Sequence, residues 1–295
     1  MNSAILEALA PRVKVALETL HLLSKNKLTL ASLSVVVVLI IIAIIAPFIV
    51  PYPAQVFGIE NPGNGLLPPS TQYLFGTDEQ GRDIFSRVLY GTRISLQAAL
   101  IAVAAALLIG VFLGAIAGTK GGFVDEIIMR ITDIFLSFPP LLLAIAIAAF
   151  LGPSLSNAIL AIALSWWPWY TRLVRGQAVS IREKQFVRAA RAIGTPLVKI
   201  IFLHVIPNCI APVIVQASMD IGGVILTVAS LSFLGIGAQP PLPEWGLMVS
   251  TSRIYFLNAW WYSIFPGLAI FVTVLSFNLL GDGLREVLDP KTRGK

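Results

Sequence analysis

Long uninterrupted apolar runs, not amphipathic stripes or two-residue alternation, set the pattern of this chain. Leu28 to Val50 carries no charged residue. A bilayer core of about 30 Å needs roughly 20 apolar helical residues, so this run predicts a transmembrane helix. It is too long and starts too late for a cleaved secretory signal, and no small-x-small cleavage pattern follows it, so it is expected to remain as an anchor. Further runs at Ile94 to Ala117, Ile127 to Leu151, Leu155 to Val174, Val205 to Ile236 and Trp261 to Leu284 bring the predicted spans to six. The expected fold is an all-α membrane bundle. Residues 1–27 read as an N-terminal amphipathic segment, with apolar positions Ile5, Leu9, Val13, Leu17 and Leu20 suited to lying along the inner membrane surface or docking on the bundle. The first span and an external loop occupy 28–93, a core with a basic loop at 180–204 occupies 94–284, and a tail follows at 285–295.

Composition narrows the class. Of 295 residues, 57% are hydrophobic and 12% charged, about half the charge of a typical soluble domain. The formal charge of +6 would suggest nucleic acid if it covered a soluble face, but its distribution is topological. With a cytoplasmic N-terminus, all of the 21 Lys and Arg except Arg82, Arg87, Arg93 and Arg253 fall on inside segments, so both termini are expected in the cytoplasm. Trp245, Trp260, Trp261 and Tyr262 suit an outer interfacial belt. Pro139, Pro140, Pro168, Pro207, Pro212 and Pro266 predict kinks within or beside spans. Cys209, the single cysteine, reads as packing.

Two polar segments carry helix signals. In the basic loop, Ser180 with Glu183 three residues on predicts a capped helix running through Ile193 to Gly194, a residue suited to the left-handed helix end. Thr195 and Pro196 then predict a second start. Such a helix, turn, helix could present a rigid knob to a cytoplasmic partner, or could be a solvated basic loop that only fixes topology. Thr77-Asp-Glu-Gln80 likewise predicts a capped start, with Asp83 and Arg87 spaced for a surface pair. That segment could meet a solute-delivering protein or be a self-paired helix shaping a vestibule.

Chemistry-bearing residues are few. Asp220 lies well within the fifth predicted span, where a lone carboxylate needs a partner or water; it is the candidate for the translocation path, with interhelical hydrogen bonding as the alternative. His204 has only His21 for company and no acid or cysteine at metal-ligand spacing, so a metal site is not expected. No Gly-rich phosphate loop followed by Lys and Ser or Thr occurs, so ATP is not expected to bind this chain. A membrane-embedded enzyme would need a nucleophile and base at matching depth, which is not met; a passive channel would not need the basic loop.

Arg188-Ala189-Ala190, closed by Gly194 and followed by His204-Val-Ile-Pro207, resembles the "EAA" loop of ABC-importer permeases. Gly76-Thr77-Asp78 with Gly81-Arg82-Asp83, Trp167 to Gly176, Leu231 to Pro241 and Gly281 to Pro290 resemble the C-type permease of the dipeptide, oligopeptide and nickel import systems. The resemblance extends from about Leu28 onward. It implies a type I importer bundle whose coupling helix, around Arg188, Ala189, Ala190, Ile193 and Gly194, docks on an ATPase. It further implies a sister permease, two ABC ATPases holding ATP and Mg, an extracellular solute-binding protein, a prokaryotic plasma membrane, and peptide cargo, with nickel chelates or oligosaccharides as alternatives. Two positions depart from the pattern: Arg188 and Val228 stand where the family usually has acids. The first implies a different contact on the ATPase, and the second bears on the pore.

Overall fold

The structure, a computed structural model, describes residues 26–58 and 61–288. The amphipathic segment at Ile5 to Leu23 and the end of the tail from Asp289 lie outside the described residues. All the regular elements among those described are helical. They are α1 (Lys27–Ile49), α2 (Ile84–Lys120), α3 (Gly122–Leu136), α4 (Pro140–Leu151), α5 (Leu155–Arg182), α6 (Gln185–Ala192), α7 (Leu197–Ile200), α8 (Ile206–Phe233), α9 (Trp245–Ser252) and α10 (Trp260–Leu288). Short 3-10 turns occur at Pro53–Gln55, Pro62–Asn64 and Arg253–Tyr255.

Each of the six predicted apolar segments is helical, but their extents differ. Asn26 caps α1 by accepting from the Leu28 and Thr29 amides. The second helix outruns its apolar stretch at both ends because protein, not lipid, surrounds its ends: Ile84, Ser86, Arg87 and Thr119 are all buried. The segment Ile127 to Leu151, expected as one span, is instead α3 and α4 set at 88°. Pro139 and Pro140 explain the break, since Pro140 has no amide to donate and Phe138 before a proline is pushed out of helical geometry.

Among the described residues, four helices are long and apolar enough to cross a membrane, with Leu197–Phe233 taken as one, and five segments if the bent pair counts as one. The direction of packing shows what the pair does. A Cβ on Gly110 would meet Trp167 and Tyr170, one on Gly114 would meet Thr171 and Val174, and one on Gly118 would meet Arg175 and Ala178. The partners advance together, so α2 and α5 run parallel. The chain between them must therefore return to the other end of the bundle, and α3 with α4 makes that return as a broken span. Although α5 itself has 28 residues, it is less apolar than a lipid-facing helix. It can be, because α2, α3, α4 and α8 pack around it.

The main core cluster joins Leu96, Ala99, Ala102 and Ala106 of α2 to Ala144 and Ala148 of α4, Ala158, Ala161 and Ile162 of α5, and Val224, Val228 and Leu231 of α8. Alanine and glycine dominate the seams, as expected where helices gain by close approach rather than by leaving water. Val228 is thus core, and buried Cys209 belongs to a second cluster under the basic loop.

Candidate functional site: the basic loop and its anchorage

The basic loop begins later than its sequence signals predict. Ser180 does not cap a helix; α5 runs straight through it to Arg182, because the apolar positions Val174, Ala178 and Ile181 keep that helix packed on its neighbours. Only Glu183 and Lys184 separate α5 from α6, whose N-cap is Lys184 with no side-chain cap bond. At the other end the glycine reading holds. Gly194 has φ +80°, its amide donates to Arg191 O at 3.0 Å, and the Thr195 amide donates to Ala190 O at 3.0 Å, a paired helix-end arrangement. Thr195 is not a cap either: Pro196 takes that position, and the Ile200 amide donates to its carbonyl at 3.1 Å.

Of the site residues predicted in this loop, Ala190 is buried together with Val187, while Arg188, Ala189, Ile193 and Gly194 are exposed. Ile193 is 83% exposed and Phe186 44%, an apolar knob flanked by Lys184, Arg188 and Lys199. Arg188 makes no ion pair among the described residues. The knob is rigidly based: Val187 packs with Ala115, Val174, Ala178, Ile200 and Val205. Pro207 lies further along, where α7 passes through a π turn, Ile201–Val205, into α8. The wider turn suits a chain approaching a proline with no amide to donate. The Asn208 amide group satisfies the His204 carbonyl at 2.7 Å, and the His204 ring sits 5.9 Å from that of Phe186. His204 thus helps hold the loop.

Arginines missed by the sequence reading fasten this end of the molecule. Arg182 Nη1 donates to Gly118 O at 3.1 Å, and Arg191 Nη2 donates to Thr119 O at 2.9 Å. Arg175 grips Asp125 through two bonds of 2.8 and 3.1 Å, and Arg172 pairs with Asp133, tying α3 to α5. Runs of basic residues were legible; which carbonyls and acids they reach depends on the parallel packing of α2 and α5.

At the opposite end, Gly76, Thr77, Asp78, Gly81, Arg82 and Asp83 form a buried loop, not the capped helix start predicted at Thr77. Gly76 and Gly81 have φ of +73° and +75°, which breaks any helix there, and Thr77 pairs with Asp83 as an isolated bridge. Asp78 accepts from the Gln80 and Arg82 amides at 3.0 and 2.9 Å and from Arg82 Nε at 2.7 Å. Arg87 is not a surface partner of Asp83 but a buried side chain, 3.6 Å from Asp78 and donating to Val56 O at 2.7 Å. Asp83 instead caps α2 through the Ser86 amide, at 2.8 Å. The aromatic belt is largely turned inward too: Trp261 is buried against this loop, donating to Thr77 O at 3.4 Å, Tyr262 is buried in the same cluster, Trp245 is buried against α2, donating to Val88 O at 3.0 Å, and Trp260 alone of the four is exposed.

Asp220 sits midway along α8. Its Oδ1 accepts from Gln216 at 3.0 Å, while Oδ2 is buried without a hydrogen-bond partner. Tyr170 of α5 stands beside the carboxylate, close enough to interact with it, yet its hydroxyl is likewise left without an aligned partner.

An all-helical bundle with a broken span, a buried loop at one end and a rigid exposed knob at the other defines a polytopic membrane protein of transporter type. The chain belongs to the family of binding-protein-dependent transport system inner membrane components, whose model matches residues 110–294. The N-terminal TM domain of oligopeptide transport permease C matches residues 17–69. The chain is 49% identical to a dipeptide transport system permease protein, DppC, of Alkalihalophilus pseudofirmus, over 94% of this chain and 90% of that one. It is 48% identical to a probable D,D-dipeptide transport system permease protein, DdpC, of Escherichia coli, over 93% and 91%. A glutathione transport system permease protein, GsiD, of Pectobacterium atrosepticum is 46% identical over 88% and 85%. Among solved structures, a chain of the MetNI methionine ABC transporter in inward-facing conformations aligns with a TM-score of 0.55 at 17% identity, over 69% of this chain and 96% of that one. The fold is that of an ABC-importer permease, and the chain is a transport subunit, not an enzyme.

Proposed function

We propose that this chain is one permease half of an ABC importer for short peptides, paired with a sister permease. In this reading two ATPases carry ATP and Mg, a solute-binding protein delivers cargo from outside, and the complex occupies a prokaryotic plasma membrane with both termini and the basic loop in the cytoplasm. The observation that supports it most is the knob itself. Phe186, Arg188, Ala189, Ile193 and Gly194 are exposed on a helix whose other edge, Val187 and Ala190, is anchored in the core. An exposed apolar tip on a fixed base is what a contact that delivers force requires, and ATP-driven movement of that contact would switch the bundle between outward and inward access. Peptide cargo is supported by the dipeptide and glutathione permeases among the relatives. Asp220, at mid-span with an unpartnered oxygen, is the residue assigned to the solute path.

The test is ATP-dependent uptake of a mixed short-peptide pool into vesicles holding the complete complex. Gly194→Val, a β-branched residue that φ +80° disfavours and that would reshape the knob, should abolish uptake while the complex still assembles. Unchanged uptake would make the loop a topological signal only. Asp220→Asn in the same assay should slow uptake, and an unaltered rate would remove Asp220 from the path.

A further inference from the structure

The end of α2 is where several parts of the machinery meet. An α-helix leaves its last four carbonyls without intrahelical partners, and these form the negative pole of the helix. In α2 the Gly121 amide takes Ala117 O at 3.0 Å. Of the next carbonyls, Gly118 O is taken by Arg182, the last residue of α5, and Thr119 O by Arg191 of α6. Two guanidinium groups from different helices therefore close on adjacent carbonyls of one helix end, where a cation is best placed electrostatically.

We propose that Arg191 is the strut that delivers movement of the knob to α2, and that α2 with α5 carries it as one body to the far end of the molecule. Three observations support this. First, α6 is joined to α5 by only two residues, Glu183 and Lys184, so the covalent link alone would leave it free to swing. Val187 and Ala190 seat one face of it in the core, but apolar contacts are non-directional. The Arg191 bond is directional and lies in the last turn of α6, away from that link, so the helix is held at both ends. Second, α2 and α5 cannot shear past each other easily. Gly110, Gly114 and Gly118 admit the α5 backbone so closely that added Cβ atoms would lie 2.5 to 2.7 Å from its atoms. Third, α2 is 37 residues long, ~55 Å at the usual rise, and its other end carries Asp83 and the buried Thr77 to Arg82 loop. A push on Thr119 is thus communicated across the whole bundle. Arg191 is in this sense a positioning residue, and the inference rests on α6 being the ATPase contact.

The experiment uses the complete complex in proteoliposomes with Arg191→Ala and Arg191→Lys. Solute moved per ATP hydrolysed should fall about tenfold or more for Arg191→Ala, the scale of losing one charge-assisted bond, with ATP hydrolysis retained and subunits still copurifying. Arg191→Lys, which keeps a cationic donor, should recover a substantial part. A second readout needs no solute: spin labels on Lys120→Cys and Ala192→Cys, the latter at an exposed position, report the separation of the α2 end from the last turn of α6. That separation should stay constant through ATP binding when Arg191 is present and change when it is alanine. An unchanged transport ratio, uptake and hydrolysis falling in proportion, loss of assembly, or a label separation that ignores the substitution would each overturn the strut. Absence of uptake by the unaltered complex would instead count against the importer reading, and the label separation would still decide the strut.

Discussion

Asp83 caps α2 through one carboxylate oxygen while the other, Oδ1, is buried without a hydrogen-bond partner. Burial raises its pKa above the ordinary aspartate value, and the bonds from Ser86 and from the Phe85 backbone oppose that only in part. A raised carboxyl pKa means the folded chain prefers the protonated form. The contribution of this group to stability is therefore fully present below the ordinary aspartate value and is lost as pH climbs from there through the raised one. Asparagine caps a helix as well as aspartate does and carries no charge to desolvate. Asp83→Asn should accordingly melt at the same temperature as the parent or higher at pH 7, with a flatter dependence on mildly acidic pH. Asp83→Ala, which loses the cap, should cost about 1 kcal/mol. Thermal unfolding in detergent at neutral and acidic pH checks both; an asparagine variant as weak as the alanine one would mean that the negative charge itself is needed, for instance by the nearby Arg87.

At the scale of elements, the close seam between α2 and α5 makes an unequal prediction for two glycines. A Cβ on Gly114 would lie 2.5 Å from Thr171 O and 2.9 Å from Val174 Cβ, whereas one on Gly176 meets nothing within 4 Å. Gly114→Leu should therefore destabilise by about 1–3 kcal/mol or more through overpacking. Gly176→Ala, on an exposed position of the same seam's helix, should be neutral or gain up to about 1 kcal/mol from helix propensity. Melting of the two variants in one detergent separates them, and equal behaviour would mean that the helices can part without cost. The seam also shows what the sequence could reveal. Apolar runs located the six helical segments, because a helix in lipid must satisfy its own backbone, but apolar length alone passes only four of the described helices, or five segments with the bent pair. Gly194 was legible because a helix end with positive φ is a local demand. The caps at Ser180, Thr195 and Thr77 were misread because each competes with tertiary context: α5 stays packed through Ser180, Pro196 takes the capping position beside Thr195, and Gly81 forbids a helix after Thr77. The right angle between α3 and α4 and the reach of Arg182 and Arg191 were invisible, since both depend on helices far apart in sequence lying side by side.

For the whole molecule, helix direction constrains topology more tightly than apolar length does. The parallel run of α2 and α5 requires a crossing between them, which α3 and α4 supply. Contacts of Met219 with Gly281 and of Gly222 with Val274 and Asn278 run in opposite senses, so α8 and α10 are antiparallel. Thr29 near the start of α1 meets Gly283 near the end of α10. Both ends of the described chain therefore lie at the same end of the bundle, an arrangement that needs an even number of crossings. Six satisfies this and five does not. From its concentration of Lys and Arg, we propose that this end faces the cytoplasm. Single cysteines at exposed Gly63 and exposed Lys184 test the assignment with a membrane-impermeant thiol reagent, since native Cys209 is 1% exposed and should not react. Gly63→Cys should label in intact cells, and Lys184→Cys only after the membrane is opened. The reverse pattern would invert the protein, and labelling of both positions from outside would break the six-crossing arrangement itself, because Gly63 precedes α2 and Lys184 follows α5, with three crossings between them.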